Sequence, residues 1–252
     1  MDRNRDCDIT LVHVTDGSPR DLADARKAGL RSRRAYAAAR RRELHDALRL
    51  VGIGRRQLRV FSYVDKESHL HLPELITRMA SLIDELRPPV VFSPAYEGGH
   101  PDHDSAALAV AAARQRAAAV FRHREYPLYH AGPGGAMVTQ EFLPSAGTRI
   151  DVCRLSGAEQ EKKRAMLARF TTQQHILKEF AVSNECFRDA PTYDFSRPPH
   201  AGMLLYEYWN FGVSGEQWRA RAREALASGA GNPTRSRIFA ASLEGCDTPD
   251  RH

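Results

Sequence analysis

The feature that most constrains this chain is a regular alternation in its first 120 residues, where short β-rich runs are separated by segments of helical periodicity. Residues 9–14 (ITLVHV) form a compact β-branched run closed by Thr15-Asp16-Gly17-Ser18-Pro19, which reads as a strand followed by a turn. Residues 32–50 are rich in Ala, Arg and Leu, repeat their apolar positions at helical spacing, and stop before Gly52 and Gly54. A strand follows at 57–63. Next comes a helix opened by Pro73 and closed by Arg87-Pro88-Pro89, since proline suits a first helical turn and stops a helix behind it. A third strand at 90–93 leads to an alanine-rich helix over 105–120. Strands alternating with helices of this length predict an α/β, Rossmann-like fold, a mostly parallel sheet with helices on both faces.

The later sequence is less regular. Strands are expected at 124–128 and 148–152, separated by Gly132-Pro133-Gly134-Gly135, with a helix at 157–170. An aromatic-rich strand is expected at 203–209 and a last helix at 214–226. A single domain over 1–227 is therefore expected. From residue 228 the composition turns to Gly, Ser, Pro and Arg, the signature of a flexible tail.

In open α/β sheets ligands collect beyond the carboxyl ends of the strands. The stretch after the third strand, Tyr96-Glu97-Gly98-Gly99-His100-Pro101-Asp102-His103-Asp104, places two imidazoles and two carboxylates there on a glycine hinge. Helix capping explains Asp104 but neither histidine. One imidazole can bind a metal or a proton while a carboxylate fixes the tautomer of another ring, so the stretch points to a metal-assisted hydrolase.

Composition removes competing classes. The net charge of +6 invites a nucleic-acid reading, but only five of the 37 basic residues are lysine and the arginines are scattered along the chain. No zinc-finger, RNP-like or helix-turn-helix pattern accompanies them, so no nucleic-acid partner is expected. Cys7, Cys153, Cys186 and Cys246 form no CxxC pair and are expected as free thiols. No apolar run approaches the ~20 residues that span a bilayer, and residues 1–8 (MDRNRDCD) lack the apolar core of a signal peptide. A cytoplasmic protein without membrane contact is expected, its oligomeric state open.

Taken together, these pieces resemble the PIG-L/LmbE-like zinc-dependent N-deacetylases, which remove acetyl groups from N-acetylglucosamine-containing and related compounds. The resemblance spans residues 9–207. It rests on the strand ending Val14-Thr15-Asp16-Gly17, the helix with Arg40 and Glu43 leading to Gly52-Ile53, and the strand ending Tyr63-Val64-Asp65. The Arg87-Pro88 step and Gly99-His100-Pro101-Asp102-His103 complete it, the last being the most specific. It implies a Zn²⁺ cofactor with His103 as a ligand, and His100 as the group that stabilises the oxyanion or protonates the leaving amine. Asp102 would orient and charge-stabilise His100. Arg40 and Asp65 would contact substrate hydroxyls or an anion, and the substrate would be a small acetylated amino sugar or glycoconjugate.

One departure is large. Family members open with a strand ending in a His-Pro-Asp-Asp-Glu loop that supplies two zinc ligands and the general base, and nothing here matches it. The fold is therefore expected to lack its first strand, either through a displaced start or because the metal site has been lost. The persistence of His100, Asp102 and His103 together favours the displaced start. With His103 as the one family ligand left, the zinc site is expected to be incomplete and the chain inactive in this form. A catalytically dead saccharide-binding module is the alternative.

His13 and Asp16 carry the His-x-x-Asp spacing of the lost loop, but on a strand residues three apart point to opposite faces. A strand histidine before an Asp-Gly turn is the simpler reading. Tyr96, Glu97, His200 and the Tyr206-Glu207 pair are further candidates for sugar contacts. His69 and His71 are read as pocket or surface histidines.

Overall fold

A computed structural model describes residues 7–145 and 147–228. In chain order the elements are β1 (Leu11–Thr15), α1 (Ala23–Lys27), α2 (Arg33–Arg49), β2 (Leu58–Tyr63), α3 (Leu72–Leu86), β3 (Val90–Pro94) and α4 (Pro101–Arg116). There follow β4 (Arg122–Tyr126), β5 (Tyr129–Ala131), β6 (Met137–Thr139), β7 (Ile150–Arg154), α5 (Gly157–Leu167), α6 (Gln174–Leu177), β8 (Asn184–Asp189), α7 (Leu205–Tyr208) and α8 (Gly215–Ala227). The expected tail falls, beyond Ser228, outside the described residues.

Local chemistry sets the helix ends. The Ser32 side chain accepts the Ala35 N–H at the start of α2, and Pro73 sits in the first turn of α3. Arg87 closes α3 in the left-handed region (φ 46°) ahead of Pro88 and Pro89. Ser214 and Gln217 exchange hydrogen bonds across the first turn of α8, a capping box. The core lies where α3, α4 and α8 meet. Leu75, Ile76, Leu108, Trp218, Ala222 and Ala225 are all fully buried there, the α4 alanines letting the neighbouring helices approach closely.

The sheet is mixed α/β with parallel pairing in the first half. β1 pairs with β2 and β3 with β4 in parallel, whereas β8 runs antiparallel to both β4 and β7. β5 and β6 form a separate antiparallel hairpin. Among the described residues β1 pairs only with β2, and β3 only with β4 among its neighbours, so two sheets stand without hydrogen bonds between them. Helix α4 packs on both β1 and β3 and links them. Phe92 of β3 remains 49% exposed.

Three expectations change. Helix α4 begins at Pro101, so Asp102, His103 and Asp104 lie in its first turn rather than on a free loop. The aromatic run at 203–209 is not a strand but carries helix α7. The Glu207 carboxylate accepts the Leu204 and Gly215 N–H groups at 2.7 and 2.8 Å, and this capping outweighs the β preference of the aromatics. Strand β8, unmarked in the sequence, is held by pairing on both sides. No helix is long and apolar enough to cross a membrane among the described residues.

Candidate active site

The exit from β3 is locked before any chemistry is placed on it. Ala95 to Gly99 are all buried. Gly98 has φ +70°, and a Cβ on Gly99 would stand 1.8 Å from the Tyr129 carbonyl oxygen, so only glycine fits there. The Asp104 carboxylate accepts the Glu97 and Gly98 N–H groups at 3.2 and 3.1 Å, folding the turn back on the start of α4. Burial pushes that carboxyl up to about 7.

His100 follows as the N-cap of α4, its Nδ1 accepting the Asp102 N–H at 3.2 Å. That bond assigns Nδ1 as an acceptor and leaves Nε2 as the outward atom. The expected carboxylate–imidazole bond is absent. Asp102 Oδ2 lies 3.7 Å from His100 Nδ1, too far for a hydrogen bond. The Asp102 carboxylate instead accepts the Lys66 N–H at 2.6 Å and the Ser68 N–H and Oγ–H at 3.0 and 2.5 Å. Asp102 therefore orients His100 through its own backbone N–H, while its carboxylate ties the β2 exit to α4.

Asp65, two residues after β2, completes the cluster. Its Oδ1 accepts a 3.4 Å bond from Thr15 Oγ1, and ligand atoms of Asp65, His100 and Asp102 all lie within 4.8 Å of one another. Burial pushes both carboxyls up to about 6, and the proximity of Asp102 adds to the rise at Asp65. Burial lowers His100. The Lys66 and Arg40 charges are felt at Asp65, and imidazole nitrogen with carboxylate oxygens is a donor set that divalent ions accept. The residues present fit a divalent metal.

His103 is half-buried one step along the helix. Its ring centroid is 4.9 Å from that of His100 and 5.2 Å from that of Tyr129, and burial holds it well below the usual histidine range. It lies beside the three-residue group rather than within it.

Arg40 reaches toward the cluster from α2, its charge felt at Asp65. Nη1 contacts Glu43 at 3.3 Å and Thr172 at 3.4 Å, the guanidinium lies 5.8 Å from the Phe170 ring, and Nε is buried without a partner. The other expected residues are placed elsewhere. Tyr96 is a core residue, stacked on Trp218 at 5.4 Å with its hydroxyl donating to the Arg197 carbonyl. Glu97 also turns inward and accepts the Leu128 N–H at 2.9 Å; burial pushes it up to about 8. His200 lies beside His130, ring centroids 6.4 Å apart. Tyr206 is fully buried, and Glu207 caps α7. His69 is buried, and His71 stacks on Tyr63 at 5.3 Å.

The His13–Asp16 alternative does not assemble. Asp16 forms an ion pair with Arg33 and accepts the Ser18 N–H at 3.0 Å, a satisfied turn aspartate. Burial and the Arg40 charge bring His13 down to about 4. Sequence reasoning missed Ser68, whose bond to Asp102 spans 34 positions, and the aromatic rings around the histidines.

Among solved structures, the A40926 pseudoaglycone deacetylase Dbv21 is 22% identical with a TM-score of 0.53, the match covering 74% of this chain and 86% of that one. The teicoplanin deacetylase Orf2, in its zinc-inhibited form, is 17% identical with a TM-score of 0.55, covering 72% and 86%. At these identities the likeness is one of fold. No curated protein matches the chain significantly. The family described as PIG-L, GlcNAc-PI de-N-acetylase, matches residues 1–114, the stretch that holds Arg40, Asp65, His100, Asp102 and His103. Over that stretch the chain is similar to the PIG-L family of deacetylases.

Proposed function

We propose that the chain is a metal-dependent hydrolase that removes the N-acetyl group of an amino sugar or its conjugate, with Zn²⁺ as the metal. The observation that carries this reading is the convergence of Asp65, His100 and Asp102 at the ends of β2 and β3, inside the stretch of PIG-L likeness. The Asp65 and Asp102 carboxylates would hold the ion, with His103 beside them as a nitrogen donor and His100 kept for proton transfer. A bound divalent ion polarises the acetyl carbonyl and makes water nucleophilic at neutral pH.

The chain's own groups do the rest. A His100 ring pinned at Nδ1 presents Nε2 as the atom that holds a proton near the oxyanion and passes it to the departing amine. Asp102 fixes the backbone that fixes His100. Arg40, whose charge is felt at Asp65, would meet a substrate hydroxyl or anion. The structures similar in fold include a pseudoaglycone deacetylase and a deacetylase of the teicoplanin pathway, which supports the deacetylase reading.

The test is acetate release from N-acetylglucosamine conjugates. His103→Ala and chelation should each abolish it, and Asp102→Asn should slow it by loosening the metal. Undiminished release by His103→Ala would sink the reading. A second reading, a saccharide-binding module without catalysis, is favoured by one observation: both Asp102 oxygens already accept hydrogen bonds from the β2 exit. Its mark is saccharide affinity that survives chelation with no acetate released.

A further inference from the structure

The chain has two tryptophans, and they are placed in opposite ways. Trp218 is fully buried in the core, with Nε1–H donating to the Pro101 carbonyl and Ser105 Oγ, both at 3.2 Å. Trp209 is half-buried at the end of α7, and its indole N–H meets no acceptor among the described residues without being sealed in the interior. Its neighbours are Tyr129, with centroids 5.8 Å apart and planes at 42°, and Phe211, at 5.7 Å and 53°. Neither is a face-to-face stack, so the rings support Trp209 from the side and leave indole surface open.

Those two supports lead to the histidines. Tyr129 lies against His103 at 5.2 Å and Phe211 against His100 at 5.0 Å. Trp209 thus stands one ring away from both. Phe211 is not equally available, because the Lys66 ammonium lies 4.3 Å from its centroid. A half-exposed indole with an unsatisfied N–H presents an apolar face and a polar edge. A pyranose offers the matching pattern, with C–H groups on a face and hydroxyls around its rim.

We infer that Trp209 is the platform on which the sugar ring of the substrate stacks, its indole N–H donating to a ring substituent. The inference rests on the proposed function for the identity of the ligand, and on ring geometry for the residue. Glu207 positions the platform indirectly, because its carboxylate fixes the short helix that delivers Trp209.

The experiment uses the full chain freed of metal by chelation, so that binding is read without turnover. N-acetylglucosamine and its β-1,4-linked dimer are titrated while tryptophan emission and its quenching by acrylamide are followed, with acetamide as control. The sugars should shift the emission saturably and shield it from acrylamide, and acetamide should do neither. In Trp209→Phe the remaining Trp218 emission should not respond. Equilibrium dialysis should show affinity falling about tenfold in Trp209→Ala and largely recovered in Trp209→Phe, which keeps a stacking face. Circular dichroism of both variants checks the fold.

Acetate release is assayed separately on metal-loaded protein. A sugar response at Trp209 without acetate release would support the platform and count against the deacetylase reading. Acetate release with an unchanged KM in Trp209→Ala, or sugars that leave Trp209 open to acrylamide, would overturn the platform and leave that reading standing.

Discussion

The exits of β1 and β3 are built from similar residues and come to opposite ends. Each pairs histidine with aspartate near a glycine at a strand end. At the β1 exit, Asp16 meets the Arg33 guanidinium and a backbone N–H, so its charge is matched. At the β3 exit, Asp102 is buried and receives only neutral donors, from Lys66 N–H and Ser68, with Asp65 close by. A carboxylate matched by arginine is structural. A buried one that is hydrogen-bonded but not charge-matched stays available to a cation or a proton. The difference lies in the partners, not in the residue types.

The glycines give the strongest way to break that comparison. Gly99→Ala drives a Cβ to within 1.8 Å of backbone and should cost ~3–5 kcal/mol in denaturant unfolding, with the β3 exit lost. Gly17→Ala at the β1 exit meets only the Arg40 side chain, its Nε at 3.0 Å, and should cost ~1–2 kcal/mol for its positive φ. Equal costs would mean that the β3 turn is not specially locked.

Metal affinity separates the exits next. Asp65→Asn and Asp102→Asn should each weaken Zn²⁺ or Co²⁺ binding by roughly 10- to 100-fold in equilibrium dialysis. Asp16→Asn should leave it unchanged while lowering stability by about 1 kcal/mol through the lost Arg33 pair. A loss in Asp16→Asn as large as in Asp65→Asn would restore the β1 exit as a ligand source.

The fold of the first half was legible because its signals are local. The proline opening α3, the glycines ending α2 and the Arg87-Pro88-Pro89 stop are read within a few residues. The same holds for the concentration of chemistry between Gly98 and Asp104. What sequence could not show was made by tertiary contact. The strand expected at 203–209 became α7 because Glu207 reaches a backbone N–H eight residues on. Tyr96 and Glu97, adjacent to the motif, turn into the core because the tight exit from β3 folds back onto α4. Asp65 reads as a strand-end residue until His100, 35 positions later, is brought beside it. That Asp102 orients His100 through its backbone N–H, with its carboxylate 3.7 Å from Nδ1, is likewise set by the turn at the start of α4.

Inward-turned Glu97 also sets a pH test. Burial raises its carboxyl from 4.5 to about 8, so between those values the folded chain holds a proton that the unfolded chain has released. Its contribution to stability therefore falls as pH rises from about 5 to 8, by at most about 1.4 kcal/mol per unit. Glu97→Gln keeps an oxygen for the Leu128 N–H and carries no titrating proton, so its stability profile should be flatter across that window. An unchanged slope in urea titrations at pH 5, 6.5 and 8 would assign the dependence to other groups.

The smallest effect tests the finest part of the comparison, the neutral donors that hold Asp102. Ser68→Ala removes one donor but leaves the Lys66 and Ser68 N–H groups on the carboxylate, so the expected stability loss is only ~1 kcal/mol. The chemical effect should be disproportionate. With one oxygen less firmly held, Asp102 can rotate, and the N–H that fixes His100 Nδ1 belongs to the same residue. The expected result is a kcat lowered about tenfold with little change in KM, restored by Ser68→Thr, which returns the hydroxyl. A merely structural serine would lower stability without moving kcat, and the link from the β2 exit to His100 would then be packing alone.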